Sequence, residues 1–301
     1  MRLPSLADRV RLRAVCHPWR SNCMLQSLPL PFPWLALPDG TFLSIPGGEI
    51  HRISVPEGVC CHGSVDNWLF LMHNDGVCSL MNPFSKTTLE LPRLAKVWKR
   101  ELYYLEFRFN PIFYKLVVPS PLDLSPCSLV AAMIMDDGDL GGQTPQPLSS
   151  EKAYMVRYYL VECGGRLLML TRWFRSTARS TSADDFLEYK RTAALQVFEA
   201  DLHTSPARWR MAHDLGGHAL FLGQHNSKSL PAKECSGYHE DCIYFMCDYS
   251  RPNCSANPLC DSGVYNMRNG TITPLMPGTA AVPPRHAGQW RPTWFFPPAT
   301  V

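Results

Sequence analysis

A mainly β fold is predicted, built of short antiparallel strands that follow a brief helical start. Three observations predict it. The 301 residues hold 27 Pro and 19 Gly, spread along the chain rather than gathered in one tract. Short apolar segments alternate with turn-forming pairs such as Asp75-Gly76, Gly164-Gly165 and Asn269-Gly270. Only the N-terminal end shows the three-to-four-residue spacing of a helix. Strands this short, at this regular spacing, suit a sandwich, a barrel or a propeller.

The totals narrow the classes further. Apolar residues make up 46% of the chain, enough for a substantial core, and charged residues only 18%, below the usual quarter. A net charge of +3 lacks the concentrated basic excess of a nucleic-acid binder, so no nucleic acid is expected. The N-terminus is Arg-rich without an apolar stretch, so no signal peptide is expected. No apolar run approaches the ~18 residues of a membrane span. Nucleus or cytoplasm is the expected location, with no membrane partner. The 12 cysteines should then be reduced and mostly buried.

The helical start covers residues 1–27. Ser5 and Asp8 have the spacing of a capping box, with Asp in place of Glu or Gln. Leu6, Val10 and Ala14 recur every four residues and share one helical face. Arg9, Arg11 and Arg13 fall mostly off that stripe. Pro18 disfavours helix at His17 and suits the first turn of a new helix holding Trp19. The expectation is two short helices around a tight break.

From residue 28 onward the β units follow. Residues 28–38 are Pro-rich and apolar, an extended segment laid on the next domain. Strands are expected at 41–45 and 51–55. The clearest unit is a meander of strands at 67–72, 77–81 and 87–91, with Asp75-Gly76 in the favoured hairpin position. Strands at 102–110 and 114–119 are expected to pair, and another runs over 129–135. Residues 154–162 and 166–174 read as a strong hairpin around Gly164-Gly165, and 192–202 with 209–215 as another. Segments at 219–222, 242–247, 262–267 and 271–275 complete the pattern. Residues 141–150 and 175–185 read as loops. At about 40–45 residues per blade, a propeller of roughly 270 residues would have about six blades.

Candidate chemistry is sparse. Cys235, Cys242, Cys247, Cys254 and Cys260 with His239 form a cysteine-dense region, but no C-x-x-C pair of the kind zinc sites use occurs there. Cys60-Cys61-His62 is adjacent and awkward for one metal. Gly216-Gly217-His218 reads as a turn rather than an oxyanion loop, and Asp136-Asp137-Gly138 as a hairpin turn. No catalytic motif is present, so no catalytic residue, metal or cofactor is expected and the chain reads as a non-enzyme. Trp34, Trp68, Trp209 and Trp294 are expected in the core. Trp98, Lys99 and Arg100 form a basic-aromatic cluster between β units, a candidate recognition patch. The Arg-rich run over 172–179 could meet an acidic partner or carry phosphate, with a solvated loop as the plainer reading.

Val15, Cys16, Trp19 and Arg20 give the signature V-C-x-x-W-R, and with Leu3, Pro4 and Leu6 this segment resembles the second half of an F-box. The β region resembles the KIB-type propeller that follows the F-box in a large plant family. The resemblance rests on the runs from Pro33 to Gly40, Leu80 to Phe84, Tyr159 to Leu168, Val197 to Asp201, Asp214 to Phe221, Gly263 to Met267 and Pro292 to Pro297, with Gly63-Ser64 and Trp68-Leu69. It implies an irregular β-propeller of about five to six blades over 28–301, preceded by a short helical partial F-box. It implies too an SKP-type adaptor as partner, met by Leu3, Pro4, Leu6, Val10, Val15 and Trp19. The function implied is the substrate-recruiting subunit of a ubiquitin ligase, with an unknown protein target. The family's first F-box helix would fall before Met1, and strands usual near 136–149 are few here. Both favour the alternative, a propeller-only binding module uncoupled from the ligase.

Overall fold

The computed structural model describes residues 32–37, 40–45, 47–53, 59–73, 77–91, 114–117, 131–134, 154–176, 190–204, 208–223, 226–234, 237–248, 259, 261–276 and 292–297. The strands in order are β1 (Trp34–Ala36), β2 (Thr41–Leu43), β3 (Ile50–Arg52), β4 (Val59–Val65), β5 (Trp68–His73), β6 (Cys78–Met81), β7 (Thr88–Leu91), β8 (Tyr114–Val117) and β9 (Ala131–Ile134). They continue with β10 (Tyr154–Cys163), β11 (Arg166–Ser176), β12 (Lys190–Asp201), β13 (Arg208–Met211), β14 (His218–Leu222) and β15 (Lys228–Pro231). The last are β16 (Cys242–Phe245), β17 (Gly263–Asn266), β18 (Ile272–Pro274) and β19 (Thr293–Phe295).

These strands form a β-propeller arrangement with four blades among the described residues. Blade I is β19-β1-β2-β3, blade II β4-β5-β6-β7, blade III β10-β11-β12-β13 and blade IV β15-β14-β16-β17-β18. A two-stranded sheet, β8-β9, lies between blades II and III in the chain. The predicted partner of β8 was the segment 102–110, which lies outside the described residues; β8 pairs antiparallel with β9. The expected helices over 1–27 also lie outside the described residues.

Blade I joins the two ends of the chain. Trp34, Leu35 and Ala36 pair antiparallel with Phe295, Trp294 and Thr293. Residues 34–36, expected only as an extended segment, are thus a full strand. Blade I then packs on both neighbours. On one side Trp34, Ala36, Phe42 and Phe295 meet Leu69, Leu71 and Met81 of blade II. On the other, Leu35, Leu43 and Trp294 meet Ala219, Phe221 and Tyr244 of blade IV. Successive residues of a strand point to opposite faces, so a blade pressed between two others needs apolar residues at every position. That is why Trp34-Leu35-Ala36 and Ala219-Leu220-Phe221-Leu222 are unbroken apolar runs, all buried.

Blade IV departs from a simple meander. β14 pairs antiparallel with β15 and parallel with β16. The parallel pair requires a crossover, and the described residues between β15 and β16 include a 3-10 turn at Ala232–Glu234. Blade IV packs its other face on blade III, where Leu220, Leu222, Ile243 and Phe245 meet Tyr159, Val161, Leu168, Leu170, Leu195 and Val197.

Candidate interaction surface

Blades III and IV are held together by a buried polar hub. Along β11, Leu168, Leu170, Arg172 and Phe174 occupy alternate positions, so Arg172 falls on the face that meets blade IV. Its side chain is fully buried. Arg172 Nη1 donates to Asp248 Oδ1 at 3.2 Å and to the Met246 carbonyl at 2.9 Å. Nη2 donates to Asp261 Oδ2 at 2.8 Å, and Nε to Thr192 Oγ1 at 2.8 Å. The guanidinium carbon also lies 4.8 Å from the Phe174 ring centroid and 4.6 Å from that of Phe245, within cation–π range.

The partners are themselves satisfied. Asp261 accepts from the Thr192 backbone N–H at 2.9 Å, and Tyr159 donates its hydroxyl to Asp248 at 2.9 Å. Burial works against a charged Arg172, but the Tyr159 oxygen and the two carboxylates outweigh it and hold its pKa above the ordinary value. Burial, then the Asp248 charge, pushes the Tyr159 pKa up, so the phenol stays protonated as a donor. A charge buried without such partners would cost several kcal/mol, of order 3–5. The hub therefore fixes the two blades in one relative position. The strand register takes Arg172 out of the Arg-rich run 172–179 and into the joint.

A second group of polar residues gathers where turns of the two blades meet. His218 Nδ1 faces the Leu215 and Gly216 carbonyls at 3.2 and 3.1 Å. Gly164 turns with a φ of +58°, and a Cβ there would sit 3.0 Å from His218 Cε1. Arg166 pairs with Glu199 at 3.2 Å. Asp241 accepts from the Leu215 N–H at 2.8 Å and from Arg268 Nε at 2.9 Å. The hydrogen bond to Asp241, then that to Glu240, raises the Arg268 pKa. The Gly216-Gly217-His218 segment is the expected turn. It locks loop to loop and leaves charged groups at the solvent side.

The remaining surface feature is apolar. On blade III the pairs Tyr158↔Thr171, Leu160↔Met169, Met169↔Phe198, Phe198↔Met211 and Ala200↔Trp209 lie on the face turned away from blade IV. Leu160 is 48% exposed, Trp209 44% and Met211 53%, with Tyr158 and Leu167 also exposed. Trp209 was expected in the core. It sits instead on the outermost strand, where only one neighbour covers it. Trp34, Trp68 and Trp294 are buried as expected.

The other sequence candidates fall elsewhere. Leu3, Pro4, Leu6, Val10, Val15 and Trp19 lie outside the described residues, as do Trp98, Lys99 and Arg100. Of the cysteine-dense region, Cys242 and Cys247 are buried thiols, as are Cys61, Cys78 and Cys163; Cys235, Cys254 and Cys260 lie outside the described residues. No group of three or more metal-binding side chains occurs among the described residues. No helix among them is long and apolar enough to cross a membrane.

Comparison with known proteins places this geometry. A family model described as the KIB1-4 beta-propeller matches residues 42–144 and 123–266. No curated protein matches, and no solved structure matches. The two matched segments overlap over 123–144 and together span most of the chain. The chain belongs to the KIB1-4 beta-propeller family, whose fold suits a non-catalytic protein-binding module.

Proposed function

We propose that this propeller is the target-binding part of a substrate-recruiting subunit of an SKP–cullin–F-box ubiquitin ligase, acting in the nucleus or cytoplasm. The observation that carries the reading is the family match over 42–266, on a propeller whose blades III and IV are pinned by a buried hub. A scaffold fixed in this way presents loops and edges in constant relative positions. That is what a receptor for a folded or extended protein target requires. The ligase role draws on the resemblance of residues 3–20 to an F-box. In it, Leu3, Pro4, Leu6, Val10, Val15 and Trp19 supply the apolar contacts to the adaptor.

Co-expression of the full chain with an SKP-type adaptor tests this reading. Co-purification is expected, and Val15→Asp with Trp19→Asp should abolish it while the propeller still melts cooperatively. A chain that fails to co-purify, beside a version carrying a grafted upstream F-box helix that does, would leave the propeller as an uncoupled binding module. Failure of both versions would sink the ligase reading altogether.

A further inference from the structure

We propose that β13 is a docking edge, to which an extended segment of a partner protein adds as a fifth strand of blade III, its residues alternately acidic and apolar. The inference rests on the binding role above and names the chemistry of what is bound.

The backbone of β13 is set up for it. β13 is the last strand in the sheet order of blade III, and all four of its residues are exposed. The Ala212 N–H donates to the Val197 carbonyl at 2.9 Å. Hydrogen-bonded and non-hydrogen-bonded pairs alternate along an antiparallel ladder. From the register, Arg208 and Arg210 therefore turn their N–H and C=O groups toward β12. Trp209 and Met211 turn theirs outward, and among the described residues those groups meet no partner. An added strand would satisfy two donors and two acceptors at once, the basis of strand-addition binding.

The side chains specify the occupant. Trp209 and Met211 lie on the same face as the exposed Leu167, Leu160 and Tyr158, whereas Arg208 and Arg210 lie on the other. An incoming strand obeys the same alternation, so apolar side chains would extend the apolar face and acidic ones would meet the arginines. Charge points the same way at the edge itself. Arg210 is paired with Asp201, Arg166 with Glu199 and the buried Arg172 with Asp248 and Asp261, which leaves Arg208 of β13 with no ion pair among the described residues.

A second copy of this chain fits worse. The two antiparallel self-pairing registers centred on β13 that keep Trp209 on the apolar side set Arg208 opposite Arg210, or Arg210 opposite Arg210, like-charge pairs that destabilise a ladder. Blade IV shows that the fold accommodates a fifth strand: β18 stands at its outer edge. There, Pro274 closes the strand with a residue that has no N–H. β13 contains no proline and keeps its outward donors.

The test uses the full chain and a labelled synthetic peptide of about eight residues, alternating Glu with Val, read by fluorescence anisotropy. Saturable binding that weakens as salt rises is expected, with a Lys–Val peptide bound at least about tenfold more weakly. Met211→Pro removes an outward donor without touching the bonds to β12, so it should cost about tenfold in affinity while the thermal melt stays put. Arg208→Glu with Arg210→Glu should reverse the preference toward the Lys–Val peptide. No saturable binding, or binding indifferent to Met211→Pro, would overturn the proposal. So would a dimer in sedimentation that Met211→Pro abolishes, since it would make a second copy the occupant. Adaptor co-purification is independent of all these readouts, so loss of the ligase role and loss of this edge are distinguishable.

Discussion

The joint between blades I and II and the joint between blades III and IV do the same task with opposite chemistry. The first is apolar and aromatic. Phe84, on the turn between β6 and β7, lies 6.5 Å from the Trp34 ring centroid and 5.9 Å from that of Phe295, and within blade I Phe42 meets Phe295 edge to face at 5.1 Å. Its few buried polar groups, such as Ser64 with Thr293, bond across the seam. The second joint surrounds its apolar contacts with one arginine, two aspartates and a tyrosine. An aromatic joint depends mainly on shape. A polar joint depends on every partner being present, because each lost partner strands a charge.

The sharpest way to break the comparison is to truncate each joint and then try to repair it. Phe42→Ala should cost about 3–5 kcal/mol through the cavity it leaves. Arg172→Ala should cost a similar amount, about 3–5 kcal/mol, because Asp248 and Asp261 remain buried without their counter-charge. Repair is what separates the two. Replacing Arg172, Asp248 and Asp261 together by Met, Leu and Leu should recover most of the loss in urea melts, since no charge is then stranded. The same rescue in the aromatic joint has no counterpart. If the triple replacement stays as unstable as Arg172→Ala, the hub contributes by geometry rather than by charge pairing.

A smaller effect is expected at the turns that cap the polar joint. Gly164 holds a positive φ, and a Cβ there would press on His218. Gly164→Ala should cost about 1–3 kcal/mol from backbone strain and contact together. Adding His218→Ala removes the contact and leaves the strain, so a double-mutant cycle on thermal melts should return part of the loss. Strict additivity of the two changes would mean that the turn does not lean on the histidine at all.

What the sequence displayed and what it concealed divide along these joints. Turn chemistry was legible: Gly164-Gly165 and Asn269-Gly270 both turn strands where expected, since glycine at positive φ is a local property. The β-propeller class followed from strand length and spacing together with the family resemblance. Long-range pairing was not legible. β1 finds its partner β19 at the far end of the chain, and β14 reaches β16 in parallel across a crossover, neither of which leaves a local pattern. Arg172 was half legible. It sits in phase with Leu168 and Leu170, a signal of burial, but its carboxylate partners are 76 and 89 residues away. Trp209 misled because strand tryptophans are usually covered, whereas β13 has no strand beyond it among the described residues.

The smallest predicted effect vanishes at neutral pH and separates the joints only in alkali. Burial first, then Asp248, raises the Tyr159 pKa from its ordinary 10.0. Burial first also raises the thiols of Cys163 and Cys242 from 9.0. All three belong to the cores that blade IV shares with its neighbours. Above pH 9 the unfolded chain begins to release the two thiol protons while the native state keeps them, and above pH 10 the same holds for Tyr159. The native state then binds more protons than the unfolded one, so stability falls as pH rises. Urea melts from about pH 7 to about pH 11 should show a level region followed by this descent. Cys163→Ala with Cys242→Ala should flatten its first part. Tyr159→Phe should flatten the second while lowering the plateau, because the hydrogen bond to Asp248 goes with the hydroxyl. An alkaline limb unchanged by these substitutions would place the titrating groups outside the cores that blade IV shares with its neighbours.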